Sequence, residues 1–245
     1  MPAPSPTFTA ARLSSILVSA LLLGSCASVP PPQAFEHSAH GSVKRVCLVP
    51  PGVPDQIQVT ITNPIGEGFG VVGTLIESRR SAAASTEVTA VVSQARYDLR
   101  AALTDAVSNA VRKAGFTVTR LDATRPKKEE AKFLSEYPQR PQVDAYLDVY
   151  APYVGFQAPQ SSVDYRPRIE LLVRLVSAKD GTILFQHHLV YGTTTGADDF
   201  AVLVRADDGT SFRDRTALKQ SAATTVHALQ SAIEAVSWEL AKQFM

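Results

Sequence analysis

Between positions 99 and 114 apolar side chains recur at three- and four-residue steps: Leu99, Ala102, Leu103, Ala106, Val107, Ala110, Val111 and Ala114. That spacing lines one face of an α-helix and predicts a helix over 97–114, with Arg100 on the opposite face. Gly115 stands where a left-handed C-terminal cap belongs, and Phe116 can close the cap with an apolar contact. A strand over 117–121 should follow at once. A second stripe of Leu218, Ala222, Val226, Leu229, Ile233, Val236 and Leu240 predicts another long helix, over 217–243.

Elsewhere the period is two. Residues 56–62 place Ile57, Val59 and Ile61 on one face, and 46–49 form a short apolar run ended by Pro50-Pro51. Over 143–150, Val143, Ala145, Leu147 and Val149 share one face, while Asp144, Tyr146, Asp148 and Tyr150 share the other. Residues 168–176 and 183–191 flank Ala178-Lys179-Asp180-Gly181-Thr182, where Asp-Gly signals a hairpin. The charged, proline-rich run 122–140 reads as a loop or weak helix, and the acidic run 196–215 as a loop. The order β, β, α, β, β, β–β hairpin, α predicts an α/β fold: a mixed β-sheet with two long amphipathic helices packed on one face, a two-layer sandwich. The other sheet face, carrying Tyr and Asp in the central strand, is expected to be partly solvated or covered by a partner. Tyr146, Tyr150 and Tyr153, with Asp144 and Asp148, are its candidate contact residues, since aromatics suit protein interfaces. The competing reading packs these tyrosines under a helix or loop.

The N-terminus follows a different logic. After Arg12, residues 13–23 form an apolar run of 11. A membrane-spanning helix needs about 20 residues, whereas signal-peptide cores run to roughly 7–15. Gly24 and Ser25 follow, then Cys26. The segment Leu23-Gly24-Ser25-Cys26 resembles the lipobox of bacterial lipoproteins. That resemblance implies diacylglycerol on the Cys26 thiol, cleavage before Cys26 and acylation of the new amino group; several chains together anchor stably where one does not. Ala27, in place of Asp, goes by the same resemblance with transport to the outer membrane. The expected organisation is a signal peptide over 1–25, a Pro-rich tether over 26–42, and a single α/β periplasmic domain over 43–245. The order of elements is itself similar to that of periplasmic lipoproteins of export and envelope-assembly machines, such as the curli-secretion lipoprotein. The matching residues are Cys26, the strand at 45–49, the helix ending at Gly115, the strand at 117–121 and the hairpin within 169–191. The likeness implies a fold and a compartment rather than an activity.

Charge narrows the partners. The chain carries +1, and Arg12 is the one charge in the first 25 residues, so a chain starting at Cys26 is formally 1 − 1 = 0. A nucleic-acid binder shows a clustered basic excess instead. Gly68-Phe69-Gly70-Val71-Val72-Gly73 spells a dinucleotide fingerprint, but Asn63-Pro64-Ile65-Gly66-Glu67 separates it from the preceding strand and sets a carboxylate beside the pyrophosphate position. Gly66, Gly68, Gly70 and Gly73 are read instead as gaps for close packing, with partner or membrane contact as the alternatives. Gly70→Ala and Gly73→Ala are then expected to disturb the domain. Cys47 lies in an apolar strand and is expected to be a buried structural thiol. His187 and His188 point to opposite faces of a strand and cannot share a metal; His37 and His40 sit in the tether. No Gly-x-Ser-x-Gly, calcium-loop spacing or carboxylate pair stands out, so no cofactor, metal or nucleotide is expected. The reading reached is a non-catalytic envelope lipoprotein that binds or scaffolds envelope proteins or itself. Its rivals are an envelope hydrolase and a lipid- or glycan-binding module.

Overall fold

The computed structural model describes residues 31–63, 70–160, 163–192, 200–206 and 210–245. The chain runs through α1 (His37–His40), β1 (Arg45–Leu48), β2 (Gln58–Asn63), α2 (Gly70–Gln94), α3 (Leu99–Lys113), β3 (Thr117–Arg120), β4 (Ala145–Gln160), β5 (Arg166–Ser177), β6 (Ile183–Gly192), β7 (Val202–Arg205), α4 (Ala217–Gln220) and α5 (Ala222–Lys242). The strands form one sheet in the order β3-β1-β4-β5-β6-β7, with β2 beside the later half of β4. β1, β2 and β3 run parallel to their neighbours, β4–β5–β6 is an antiparallel meander, and β7 is parallel to β6. The mixed sheet under helices is the predicted two-layer architecture.

The helix layer has one more member than the periodicity predicts. α2 spans 25 residues, over a stretch whose Ser/Ala run 81–86 shows little apolar stripe. Alanine is nonetheless the best helix former, and small residues let this helix lie against β2. Ala84, Val88 and Val92 are buried there. Ser85 Oγ accepts the Val59 N–H at 2.9 Å, and Thr89 Oγ1 accepts the Ile57 N–H at 2.8 Å. The helix thus supplies acceptors to the strand side that β4 does not pair, closing a sheet edge.

β4 is the spine at 16 residues, twice the predicted alternation. Its pairing with β5 jumps from Tyr150↔Leu172 to Tyr153↔Glu170, so two β4 residues, Ala151 and Pro152, oppose one, Leu171. Pro152 sits inside this bulge, where an absent N–H costs no ladder bond. The bulge also inverts the pleat: Ala145, Leu147, Val149 and Ala151 join the core before it, and Val154, Phe156 and Ala158 after it. Gly115 takes φ +96°, as a left-handed cap requires, and Gly181 of the hairpin takes φ +74°.

α3 packs on α5, and α5 crosses β5 and β6. Leu103 is 1% exposed, and Val107, Leu229 and Val236 are fully buried. Leu103→Ala is expected to cost about 2–5 kcal/mol, read as a clear fall in Tm. Asn109→Ala on the exposed side of the helix should leave Tm nearly unchanged; equal falls would refute this helix phase. Arg100, expected to be a bystander, is not one. Its guanidinium holds both Glu130 carboxylate oxygens at 3.0 Å and donates to the Pro51 carbonyl, tying α3 to the chain beyond β3.

The expected tether also differs from the structure in its second half. Gln33 and Gln186 exchange backbone hydrogen bonds at 2.7 and 2.9 Å. Gln33 Nε2 donates to the Ile183 carbonyl at 2.7 Å, and Gln186 Nε2 to the Pro31 carbonyl at 3.1 Å. Phe35, 8% exposed, packs edge-on against Phe116 and Phe244, with ring centroids 6.1 and 5.6 Å away. Residues 33–43 therefore belong to the folded unit, because one aromatic side chain and a strand-like pair of bonds dock them.

Candidate functional site

Alternation along β4 turns Tyr146, Asp148 and Tyr150 away from the helices, as the sequence predicts. The face is not left to solvent. Residues 121–144 fold across it and build a second small core, in which Cys47, Val49, Leu121 and Tyr146 are buried and Leu134, Tyr137 and Val143 pack against them. Tyr137 stacks on Tyr146 with centroids 5.4 Å apart, and the Tyr146 hydroxyl donates to the Pro138 carbonyl. Phe133 meets Tyr150 edge-on at 5.0 Å, and Arg174 lies 4.1 Å over the Phe133 ring. Tyr153, beside the bulge, shares a hydrogen bond with Thr60 Oγ1 at 2.8 Å and donates to the Phe156 carbonyl at 3.0 Å. Of the two readings, packing beneath a loop describes Tyr146 and Tyr150, whereas Tyr153 bonds to β2 and to its own strand. Tyr146 is 1% exposed, so it is not open to a partner in this arrangement.

The pin through this loop is an ion pair invisible in the sequence pattern. Arg125 and Asp148 have fully buried side chains. Arg125 bonds the Asp148 carboxylate and donates to the carbonyls of Pro50, Glu129, Lys132 and Val149. The other Asp148 oxygen accepts the Leu134 N–H at 2.7 Å and the Tyr137 hydroxyl at 2.9 Å. Burial, followed by the neighbouring Asp148 charge, pushes the Tyr137 phenol far above its ordinary range, so it stays a donor. A buried pair with its remaining donors and acceptors satisfied fixes a conformation more than it adds stability. Asp is depleted in strands, so its place mid-strand between Leu147 and Val149 is unusual, but nothing in the sequence pattern points to Arg125 as its partner.

A cleft of about 780 Å³ lies at the end of the sheet where β1 and β4 begin. His40, Arg45, Arg140, Lys179, Asp144 and Asp180 supply its charged or titratable groups. Asp144 is committed: its carboxylate accepts the Lys44 and Arg45 N–H groups at 2.9 and 2.7 Å and pairs with the Arg45 guanidinium at 2.6 Å. The Arg45 hydrogen bond, outweighing partial burial, holds Asp144 down at about 2, against 3.8 for an ordinary Asp. A lowered folded-state value contributes stability above pH 3.8 that is lost as pH falls towards 2. Because Arg45 is half exposed, the contribution is discounted to about 1 kcal/mol. Asp144→Asn is expected to lower stability by that amount at pH 7 and to match wild type near pH 2; a pH-independent difference in urea midpoints would refute the assignment. The cleft is a polar recess that carries three cationic side chains, Arg45, Arg140 and Lys179, and two carboxylates, Asp144 and Asp180.

Other sequence candidates scatter. Cys26, Gly66 and Gly68 lie outside the described residues; Gly70 and Gly73 fall in the first turn of α2. Cys47 is fully buried, and that burial raises its pKa, which keeps the thiol protonated and unreactive. His187 turns to the helix side, 4.9 Å from the Phe185 ring, where burial lowers its pKa. His188 turns the other way, 3.6 Å from Glu170. His37 and His40 flank Phe35. Among the described residues no three His, Cys, Asp or Glu side chains gather as a metal site.

No protein-family model matches the chain, and no curated protein matches it. Solved structures do show similarity. A Xanthomonas campestris protein of family DUF330 aligns at 12% identity and a TM-score of 0.40, over 87% of this chain and 88% of its own. The PelC dodecamer from Paraburkholderia phytofirmans aligns at 8% identity and 0.38, over 88% and 96%. A lipoprotein from Neisseria meningitidis aligns at 14% and 0.27, over 60% and 81%.

Proposed function

We propose that this chain is a lipid-anchored lipoprotein of the cell envelope. In this reading it is held through Cys26 to the outer membrane with its domain in the periplasm. There it acts as a non-catalytic component that binds or scaffolds envelope proteins or further copies of itself. The observation that carries the reading is Leu23-Gly24-Ser25-Cys26 directly after an 11-residue apolar core preceded by Arg12. Two features support it. Among the described residues no helix is long and apolar enough to cross a membrane, so attachment through lipid suits the folded domain. The cleft where β1 and β4 begin offers charged side chains of both signs to a polar partner.

The test is metabolic labelling with a fatty-acid analogue. Wild type is expected to take the label and Cys26→Ser to lose it, leaving an uncleaved precursor. Equal label on both refutes the anchor. Cross-linking in intact membranes tests the scaffold half: a chain that stays monomeric and captures nothing refutes it.

A further inference from the structure

Two features meet along the outer side of β6. The first is a shared strand lane. β5 occupies one side of β6 throughout, so Gln33, which pairs with Gln186, must lie on the other. The pairing is antiparallel, so from Gln33 back to Pro31 the chain moves towards Leu189. There β7 takes over the same lane, with Val202 opposite Leu189 and Leu203 opposite Val190. At Pro31 the described chain is therefore directed towards the start of β7.

The second feature is apolar exposure at that spot. Phe200 is 65% and Leu203 51% exposed, two of the four large apolar side chains exposed among the described residues. Val202 and Val204 turn inward against the core, so the outward setting of Leu203 follows from the strand's alternation.

Chain length joins the two. Cys26 precedes Pro31 by five residues, which bridge at most about 17 Å fully extended. The β3 edge lies five strand spacings from this lane, about 24 Å away. The far end of β4 is about 30 Å along the strand direction from the level of Pro31. Neither the β3 edge nor the Gln160 end of β4 falls within that span, whereas the start of β7 does.

We propose that the β6–β7 edge is the surface this domain lays against the lipid bilayer, with Phe200 and Leu203 entering the boundary between headgroups and acyl chains next to the anchor. The proposal rests on the lipid attachment argued above and adds an orientation to it. A tethered patch works at high effective concentration, so two apolar side chains suffice to bias the orientation without binding membranes alone. The contact also covers the last strand of the sheet, the position most open to unwanted strand pairing.

The experiment uses acylated full-length protein in vesicles of phosphatidylcholine and phosphatidylglycerol with brominated acyl chains. A fluorophore is placed on Leu203→Cys and, as controls, on Thr117→Cys at the β3 edge and Gln230→Cys on α5; Cys47, fully buried, does not compete for the label. Bromolipid is expected to quench the Leu203 label several-fold more than either control. Equal quenching, or stronger quenching at a control, overturns the orientation. A Leu203 label shielded from both bromolipid and aqueous iodide overturns it in favour of a second copy on that edge. Absence of acyl mass on the protein fails the anchor reading itself, and is told apart from the other outcomes by mass spectrometry before any fluorescence is read.

Discussion

Asp148→Ala is expected to lower the unfolding free energy by about 3–5 kcal/mol, because it strands the Arg125 guanidinium in a site from which water is excluded. A domain of this kind holds about 5–15 kcal/mol in all, so the variant should unfold at a markedly lower urea concentration. Arg125→Ala should do comparable damage, since it removes the donor to four carbonyls as well as to the carboxylate. The double variant separates two accounts. A simple buried pair replaced on both sides by small apolar groups is often close to neutral. Here the Leu134 N–H and the Tyr137 hydroxyl would lose their acceptor, along with the carbonyls that lose Arg125. Each buried group left without a partner costs about 1–3 kcal/mol. The double variant is therefore expected to remain strongly destabilised, with a large coupling energy in the cycle. Asp148→Ala within 1 kcal/mol of wild type by urea unfolding would show that the loop can leave and let water in. Loss of Tyr137–Tyr146 stacking should accompany unfolding of the loop and is visible in near-ultraviolet circular dichroism.

Periodic elements were legible in the chain, and elements held by tertiary contacts were not. The α3 stripe from Leu99 to Ala114, the Gly115 stop and the Asp180-Gly181 hairpin each have a local cause, and each stands where that cause puts it. α2 lacks such a stripe: Ala84, Val88 and Val92 give it a narrow apolar line, and Ser85 and Thr89 act by accepting bonds from β2, which only the folded sheet supplies. The alternation breaks after Tyr150, yet β4 carries on through Pro152 by means of a bulge. For the polar face of β4 the sequence leaves open solvent, a partner, or a helix or loop of the chain itself, because alternation says which side a residue takes and nothing about what covers it. Arg125 lies 23 positions from Asp148, in a run whose charge and prolines suggest a loop, so their pairing has no signature in sequence spacing. Phe35 and Gln33 were hidden for a related reason: the three consecutive prolines before them look like a spacer, and the docking contacts are with distant Phe244 and Gln186.

Glycine shows the same divide and yields the other large expected effect. The sequence draws the eye to Gly66, Gly68, Gly70 and Gly73, but the closest backbone approach described is at Gly155. A methyl group there would stand 1.9 Å from the Gln58 carbonyl oxygen and 2.7 Å from the Gln58 nitrogen. These are backbone atoms of the paired strand, and the Gln58 side chain is already committed across the bulge, accepting the Val154 N–H at 3.2 Å. Neither strand can yield by rotating a side chain. Gly155→Ala is therefore expected to exceed the about 1–3 kcal/mol typical of overpacking and to push β2 off β4. Helix α2, which rests on β2, should loosen with it. Gly181→Ala provides the contrast: its φ of +74° is strained for an L-residue, but nothing stands within 4 Å of the added methyl. Its cost should be the backbone term alone, about 1–2 kcal/mol. Hydrogen exchange distinguishes the two, since Gly155→Ala should lose protection at the amides of β2 and α2 while Gly181→Ala leaves them protected. If Gly155→Ala melts like Gly181→Ala with β2 amides still protected, β2 and β4 do not approach as closely at this point as their pairing requires.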